Sequence, residues 1–185
     1  MTGVLTTTTI SSPVGVLTLA SITDDDGPRV ALVEFGHRAP EALETLADAY
    51  RARVEPSPSP VACPALSLLI DELGRYFAGD LRAFSVPLAL VGTAFQCRVW
   101  EALGEIPYGQ VVSYGALARS LGVGAGASRA VGAANGANRL AIVLPCHRVV
   151  AADGSLHGYG GGLERKRWLL DHERTAVGGL FARSV

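Results

Sequence analysis

The stretch Pro145-Cys146-His147-Arg148-Val149 sets a thiol directly before an imidazole, with a guanidinium two residues beyond the thiol. A nucleophilic thiol must become a thiolate, and a neighbouring base or positive charge favours that state. His147 is placed to be the base, directly or through one water, and Arg148 adds positive charge. Such an imidazole needs a partner to orient it, and Glu173, in the last helical segment, is a candidate. The apolar run Leu140–Leu144 is expected to bury the approach to the thiol. A lone buried cysteine is ordinarily an inert small hydrophobe. That reading suits Cys63 and Cys97, whereas Cys146 has neighbours that can activate it.

The segments that must position this site are short and helical. Thr93–Leu103 places Phe95, Val99 and Leu103 on one stripe, and Ile106-Pro107-Tyr108-Gly109 forms a turn. Ser113 is a good N-cap for a helix running to Leu121. Gly122, Gly124 and Gly126 loosen the chain before a third helix, Ala127 to Ala137, so the pair is a helix-turn-helix candidate. The third helix holds small side chains around one arginine, Arg129. Its two glycines each cost a helix about 1 kcal/mol relative to alanine. Close packing against another helix would compensate, and so would entry into a minor groove about 6 Å wide. Arg129 tilts the choice slightly towards DNA.

The first half offers no chemical constellation. Val4–Ile10, Gly15–Ser21 and Arg29–Phe35 read as strands rich in Val, Leu and Thr, with turns at Ser11-Ser12-Pro13 and Asp24–Pro28. Helical spacing follows over Pro40–Val54, through Leu43, Leu46 and Tyr50, and again over Ala65–Ala78. Pro56-Ser57-Pro58-Ser59-Pro60 is a short loop. The boundary between a supporting α/β half and the helical half is expected within Val86–Gly92.

The chain has 185 residues, 49% hydrophobic and 18% charged, which suits one large or two small folded domains. Residues 1–92 carry 6 Lys+Arg and 11 Asp+Glu, and residues 93–185 carry 10 and 6, so balances of −5 and +4 give the net −1. A basic second half suits contact with phosphate, and uneven solvated charge accounts for the split equally well. No apolar run approaches the roughly 20 residues of a membrane helix, and Met1–Ile10 lacks the pattern of a secretory signal. Three cysteines without a CxxC pair argue against a disulfide framework or zinc knuckle and favour a reducing cytoplasm.

Asn138-Arg139-Leu140-Ala141-Ile142-Val143-Leu144-Pro145-Cys146-His147-Arg148-Val149-Val150 resembles the active-site signature of the O6-alkylguanine-DNA alkyltransferases. Further blocks resemble that family in the same order. They are Gly92–Gln96 with Val99-Trp100; Ile106–Gly109 with Ser113-Tyr114 and Leu117-Ala118; Arg129–Gly132; and Gly158-Tyr159 with Arg165-Lys166 and Leu169-Leu170. Together they cover residues 92–173. The first half resembles only the family's loosely patterned ribonuclease-H-like domain.

The resemblance implies an α+β protein. A ribonuclease-H-like α/β domain would span residues 1–88, a helical DNA-binding and alkyl-transfer domain with the helix-turn-helix residues 92–175, and a tail 176–185. It implies single-use transfer of an alkyl group from O6-alkylguanine in double-stranded DNA to Cys146. That chemistry requires no cofactor, the zinc site of some animal relatives is expected to be absent because no cysteine precedes Cys63, and the protein is taken as a monomer by default. The target base would be flipped out of the duplex. Arg129 would fill its space, Tyr114 would help rotate the nucleotide, and Asn138 would pin the turn presenting Cys146. Tyr159, Gly160, Lys166 and Val149 would belong to the substrate pocket, with Gly160 and Lys166 assisting at O6. The sequence departs from the family's pattern at Arg139, Ala141 and His157, which bears on substrate range. Rival readings are a non-enzymatic binder of alkylated bases, a DNA-binding regulator and a cysteine hydrolase. The presence of Cys146, the few side chains long enough to read bases and the lack of a marked oxyanion hole argue against them in turn.

Overall fold

The computed structural model describes residues 3–57, 59 and 62–182. The chain divides into two compact units, Met1–Val91 with Arg139–Ala141, and Gly92–Asn138 with Ile142–Val185. The protein is therefore a mixed α+β chain whose first unit takes back three residues from deep in the second half.

In the first unit, three strands run in sequence, β1 (Val4–Ser12), β2 (Gly15–Asp24) and β3 (Gly27–Phe35). Adjacent pairs are antiparallel, with a register shift between Ala20 and Ser21. Val30 to Phe35 is buried throughout, Glu34 included, so β3 lies covered on both faces, as the apolar run Val30–Val33 requires. The outer edge of β3 is satisfied by two short segments. Val30 exchanges backbone hydrogen bonds with Pro87 and Ala89 at 2.8 Å each, and Val33 with Arg139 and Ala141 at 2.8 and 2.9 Å. An edge closed in this way offers no template for another chain.

Helix α1 spans Ala39–Tyr50 and buries Ala42 and Leu46 in a cluster with Leu5, Ile22 and Leu32. It stops at Arg51, which takes the left-handed conformation at φ 47°. The helix expected to reach Val54 thus ends four residues early. Arg53–Pro56 instead forms β4, parallel to β1, and the sheet order is β3-β2-β1-β4. Pro56 therefore belongs to a strand rather than to the expected loop, and Pro58 and Pro60 of that loop lie outside the described residues. Helix α2 (Pro64–Ala78) buries Leu66, Leu69, Leu73 and Tyr76 and closes at Gly79 with φ 82°. Its Glu72 carboxylate is buried and accepts from Ser85 N and Oγ and from Val86 N, which fixes the chain after the helix.

The second unit opens with α3 (Ala94–Gly104), whose start is fixed by Thr93 and Gln96 each capping the other's backbone N–H. Ser113 caps α4 (Tyr114–Ser120) by accepting from Ala116 N at 3.1 Å. Gly122 and Gly124, both at positive φ, lead through a 3-10 turn to α5 (Ser128–Gly136). Trp100 Nε1–H donates to Ala134 O at 2.8 Å and ties α3 to α5. The unit is not wholly helical. Val112–Ser113 (β5) pairs in parallel with Val149–Val150 (β6), two residues each, too short for a strand pattern to show. Helix α6 runs over Leu163–Ala182, through most of the stretch expected as a tail. No helix among the described residues is long and apolar enough to cross a membrane.

Candidate active site

Cys146 begins a single 3-10 turn, Cys146–Arg148, wedged between Pro145 and β6. Its backbone is fixed from several sides. Cys146 N donates to Leu144 O at 2.8 Å, and Arg148 N to Pro145 O at 2.9 Å. Asn138 Nδ2–H donates to Leu144 O at 2.9 Å, and Asn135 Nδ2–H to Cys146 O at 3.4 Å. The run Leu140–Leu144 is buried, as is Cys146 at 5% exposure.

His147 and Glu173 are fully buried, and Nε2 of the imidazole lies 2.8 Å from Glu173 Oε1. Arg148 grips the same carboxylate, Nε to Oε2 and Nη2 to Oε1, both at 2.9 Å. Gly109 N donates a further bond to Oε2 at 2.9 Å. Burial alone would raise the Glu173 pKa, but the hydrogen bonds and charges of His147 and Arg148 outweigh it and hold the pKa at about 2. A carboxylate charged at all working pH can only accept, so His147 carries its proton on Nε2 and presents a lone pair at Nδ1. Burial pushes the imidazole pKa below its usual value against the pull of Glu173, which keeps it neutral and able to receive a proton. Among the described residues Nδ1 has no hydrogen-bond partner.

Glu173 is thus the orienting partner of His147 rather than one charge in a solvated run. Arg148, expected to supply positive charge to the thiol, instead neutralises Glu173, donates from Nη1 to Ile106 O and lies over the Tyr108 ring. Gly109 was legible only as a turn residue. Its φ is 76°, and a Cβ there would meet Val177 Cγ2 at 2.8 Å, so glycine alone brings this N–H onto the carboxylate.

Lys166 is fully buried on α6. Its ammonium donates to Val149 O at 2.7 Å and His157 O at 2.9 Å, and it lies 5.9 Å from the Tyr114 ring centroid. Tyr114 Oη donates to His157 O at 3.3 Å. Burial lowers the Lys166 pKa and raises that of Tyr114, and a thiolate at Cys146 raises both, so all three groups share one electrostatic environment. Val149 is fully buried in β6, Tyr159 and Gly160 are half-buried in the loop before α6, and Arg129 is exposed on α5. No group of three or more His, Cys, Asp or Glu among the described residues could hold a metal ion.

A buried thiol beside an imidazole that a charged carboxylate orients defines a site built for cysteine nucleophilic chemistry. Residues 94–175 match the model of the 6-O-methylguanine DNA methyltransferase DNA binding domain. The chain is 47% identical over 167 residues to the methylated-DNA--protein-cysteine methyltransferase of Mycobacterium tuberculosis, covering 90% of this chain and 91% of the relative. In structure it is similar to the OGT of Mycobacterium tuberculosis solved in complex with DNA (TM-score 0.76, 43% identity, 92% and 94% of the two chains). It is similar too to the O6-methylguanine-DNA methyltransferase of Pyrococcus kodakaraensis (TM-score 0.64, 31% identity, 91% and 98%). The chain belongs to the methylated-DNA--protein-cysteine methyltransferase family.

Proposed function

We propose that this protein repairs DNA by moving the alkyl group of O6-alkylguanine onto Cys146, once per molecule and without a cofactor. The observation that carries the reading is the buried line Cys146, His147, Glu173, in which a charged carboxylate fixes the imidazole with its basic nitrogen free of Glu173. His147 Nδ1 takes the thiol proton, directly or through one water. The thiolate then attacks the alkyl carbon in line; the new S–C bond forms as the C–O6 bond breaks, and its electron pair leaves with guanine. Guanine takes up one proton on departure, so the net change is transfer of the alkyl group in exchange for the thiol hydrogen. Thioether formation is irreversible, and the protein is consumed.

O6 of a paired guanine is out of reach inside the duplex, so the nucleotide is extruded into the pocket beside Cys146. Helices α4 and α5 act as a helix-turn-helix whose second helix enters the minor groove, its small side chains admitting close approach. Exposed Arg129 fills the space that the base leaves. Tyr114 rotates the nucleotide by crowding its phosphate and donates to the base. Tyr159 walls the pocket, and Lys166 and the Gly160 backbone assist at O6. Lys166 also anchors the His157 carbonyl that Tyr114 shares, which couples the loop to the pocket. The sheet order β3-β2-β1-β4 with a parallel β1–β4 pair supports a ribonuclease-H-like first domain, and the free thiols suit the reducing cytoplasm.

The test is intact mass after incubation with a short duplex carrying one O6-methylguanine. The expected result is a gain of one methyl group mapped to Cys146 and absent from Cys146→Ser. Tight binding of the lesion duplex with no gain in mass would overturn transfer in favour of a non-enzymatic lesion binder.

A further inference from the structure

Asn135 lies in the last turn of α5 and is 3% exposed, although asparagine is a poorer helix former than the alanines around it. Its side chain faces the nucleophile's turn, with Nδ2–H donating to the Cys146 carbonyl at 3.4 Å. A carbonyl only accepts, so the amide nitrogen must face it and Oδ1 must point elsewhere. Oδ1 is buried and has no partner among the described residues, the same condition as His147 Nδ1. Two buried acceptors therefore belong to the immediate surroundings of one thiol, one on a side chain bonded to its carbonyl and one on the next residue. A buried polar atom without a partner is costly, and polar sites of this kind are where ordered water is found.

Resting on the alkyl-transfer reading above, we propose that Asn135 is a positioning residue for thiolate formation, fixing the Cys146 turn through Nδ2 and orienting the relay water through Oδ1. The water donates one hydrogen to Asn135 Oδ1 and the other to His147 Nδ1, which leaves an oxygen lone pair to accept from the Cys146 S–H. The thiol proton passes to the water oxygen as the water's proton passes to Nδ1. The result is a thiolate, an imidazolium and an unchanged water still held by Oδ1, so nothing is consumed. The titratable groups around the thiol are His147 and Arg148 on its own turn, Glu173 and Lys166 from α6 and Tyr114 from α4; Asn135 beside them does not titrate.

The test compares wild type, Asn135→Ala and Asn135→Asp in single-turnover transfer of methyl from an O6-methylguanine duplex, followed by intact mass between pH 6 and 9. Melting temperature and affinity for the lesion duplex are measured alongside. Asn135→Ala should transfer about tenfold more slowly, with its rise in rate displaced to higher pH, while final stoichiometry and duplex affinity hold. Asn135→Asp keeps the shape, loses the donor and sets a negative charge beside the forming thiolate, so it should be slower still. A packing role alone predicts the reverse order, with the isosteric Asp variant nearer to wild type than the Ala variant. That order, or an Ala variant within twofold of wild type at every pH, overturns the inference while leaving transfer to Cys146 intact. A wild type that gains no mass overturns both. If the Ala variant fails to fold, Asn135→Leu, close in size and without polar atoms, takes its place: a folded Leu variant slowed about tenfold supports the role, and one within twofold of wild type at every pH overturns it.

Discussion

Replacing Glu173 by glutamine keeps the side chain's shape and removes its charge. In the wild type one carboxylate accepts from His147 Nε2, Arg148 Nε and Nη2, and Gly109 N. An amide has a single acceptor oxygen. If that oxygen stays on Arg148 Nε and Gly109 N, the NH2 group faces His147, and the imidazole must turn Nε2 into an acceptor and carry its proton on Nδ1. The base that receives the thiol proton is then lost, and with it about 10²- to 10⁴-fold in transfer rate. The stability cost follows from the same contacts. A carboxyl group whose pKa drops from 4.5 to about 2 on folding contributes about 3 kcal/mol. Because the folded value is the lower one, this contribution is complete above pH 4.5 and disappears as pH falls towards 2. His147 acts in the same direction over a higher window. It is neutral when folded, so the unfolded chain takes up the proton first as pH drops below 6.5, and unfolding is favoured. Denaturant unfolding of wild type and Glu173→Gln at pH 7, 5, 4 and 3 should show a steep loss below pH 4.5 in the wild type and a flatter course in the variant. At pH 7 the variant should melt about 6–12 °C lower. Single-turnover transfer within threefold of wild type would refute the tautomer argument.

Asn138→Ala removes one of two donors to Leu144 O, which keeps its bond from Cys146 N. It should cost about 0.5–1.5 kcal/mol in thermal unfolding and slow methyl transfer, with lesion-duplex affinity unchanged. Glu72→Gln, in the first unit, disturbs a carboxylate that accepts from Ser85 and Val86. It should lower stability by about 1–3 kcal/mol while transfer per folded molecule stays at the wild-type rate. Arg51→Gly removes a side chain from a left-handed position at φ 47° and should raise stability by about 0.5–1 kcal/mol, seen as a higher melting temperature.

The contact of His147 with Glu173 was legible because the thiol and imidazole are adjacent residues and such an imidazole needs an orienting partner, for which Glu173 was a candidate. What stayed hidden was the competition for that carboxylate. Nothing in Cys146-His147-Arg148 says that the guanidinium folds back onto Glu173 instead of serving the thiol, since that depends on where α6 passes. Asn135 read as one more small residue of α5, because its purpose lies in a contact 11 residues away. In the first unit the long strands and the core helices follow from their hydrophobic periods. Strand β4 does not, for Arg53, Val54, Glu55 and Pro56 are all exposed and carry no alternation. The helix before it ends on an arginine where a glycine would have signalled the stop.

The return of Arg139–Ala141 to the edge of β3 has a consequence for how the chain is made. When Val91 leaves the ribosome, the strands and helices of the first unit all exist, yet Val33 has no neighbour for its N–H and C=O on that side. The missing rung arrives only after roughly 50 further residues, a wait of several seconds at about 5–20 residues per second. The first unit must therefore ripen late, with its edge open throughout synthesis of α3, α4 and α5, and it closes only about five residues before the nucleophile itself is made. A cut after Val91 would leave that edge open for good.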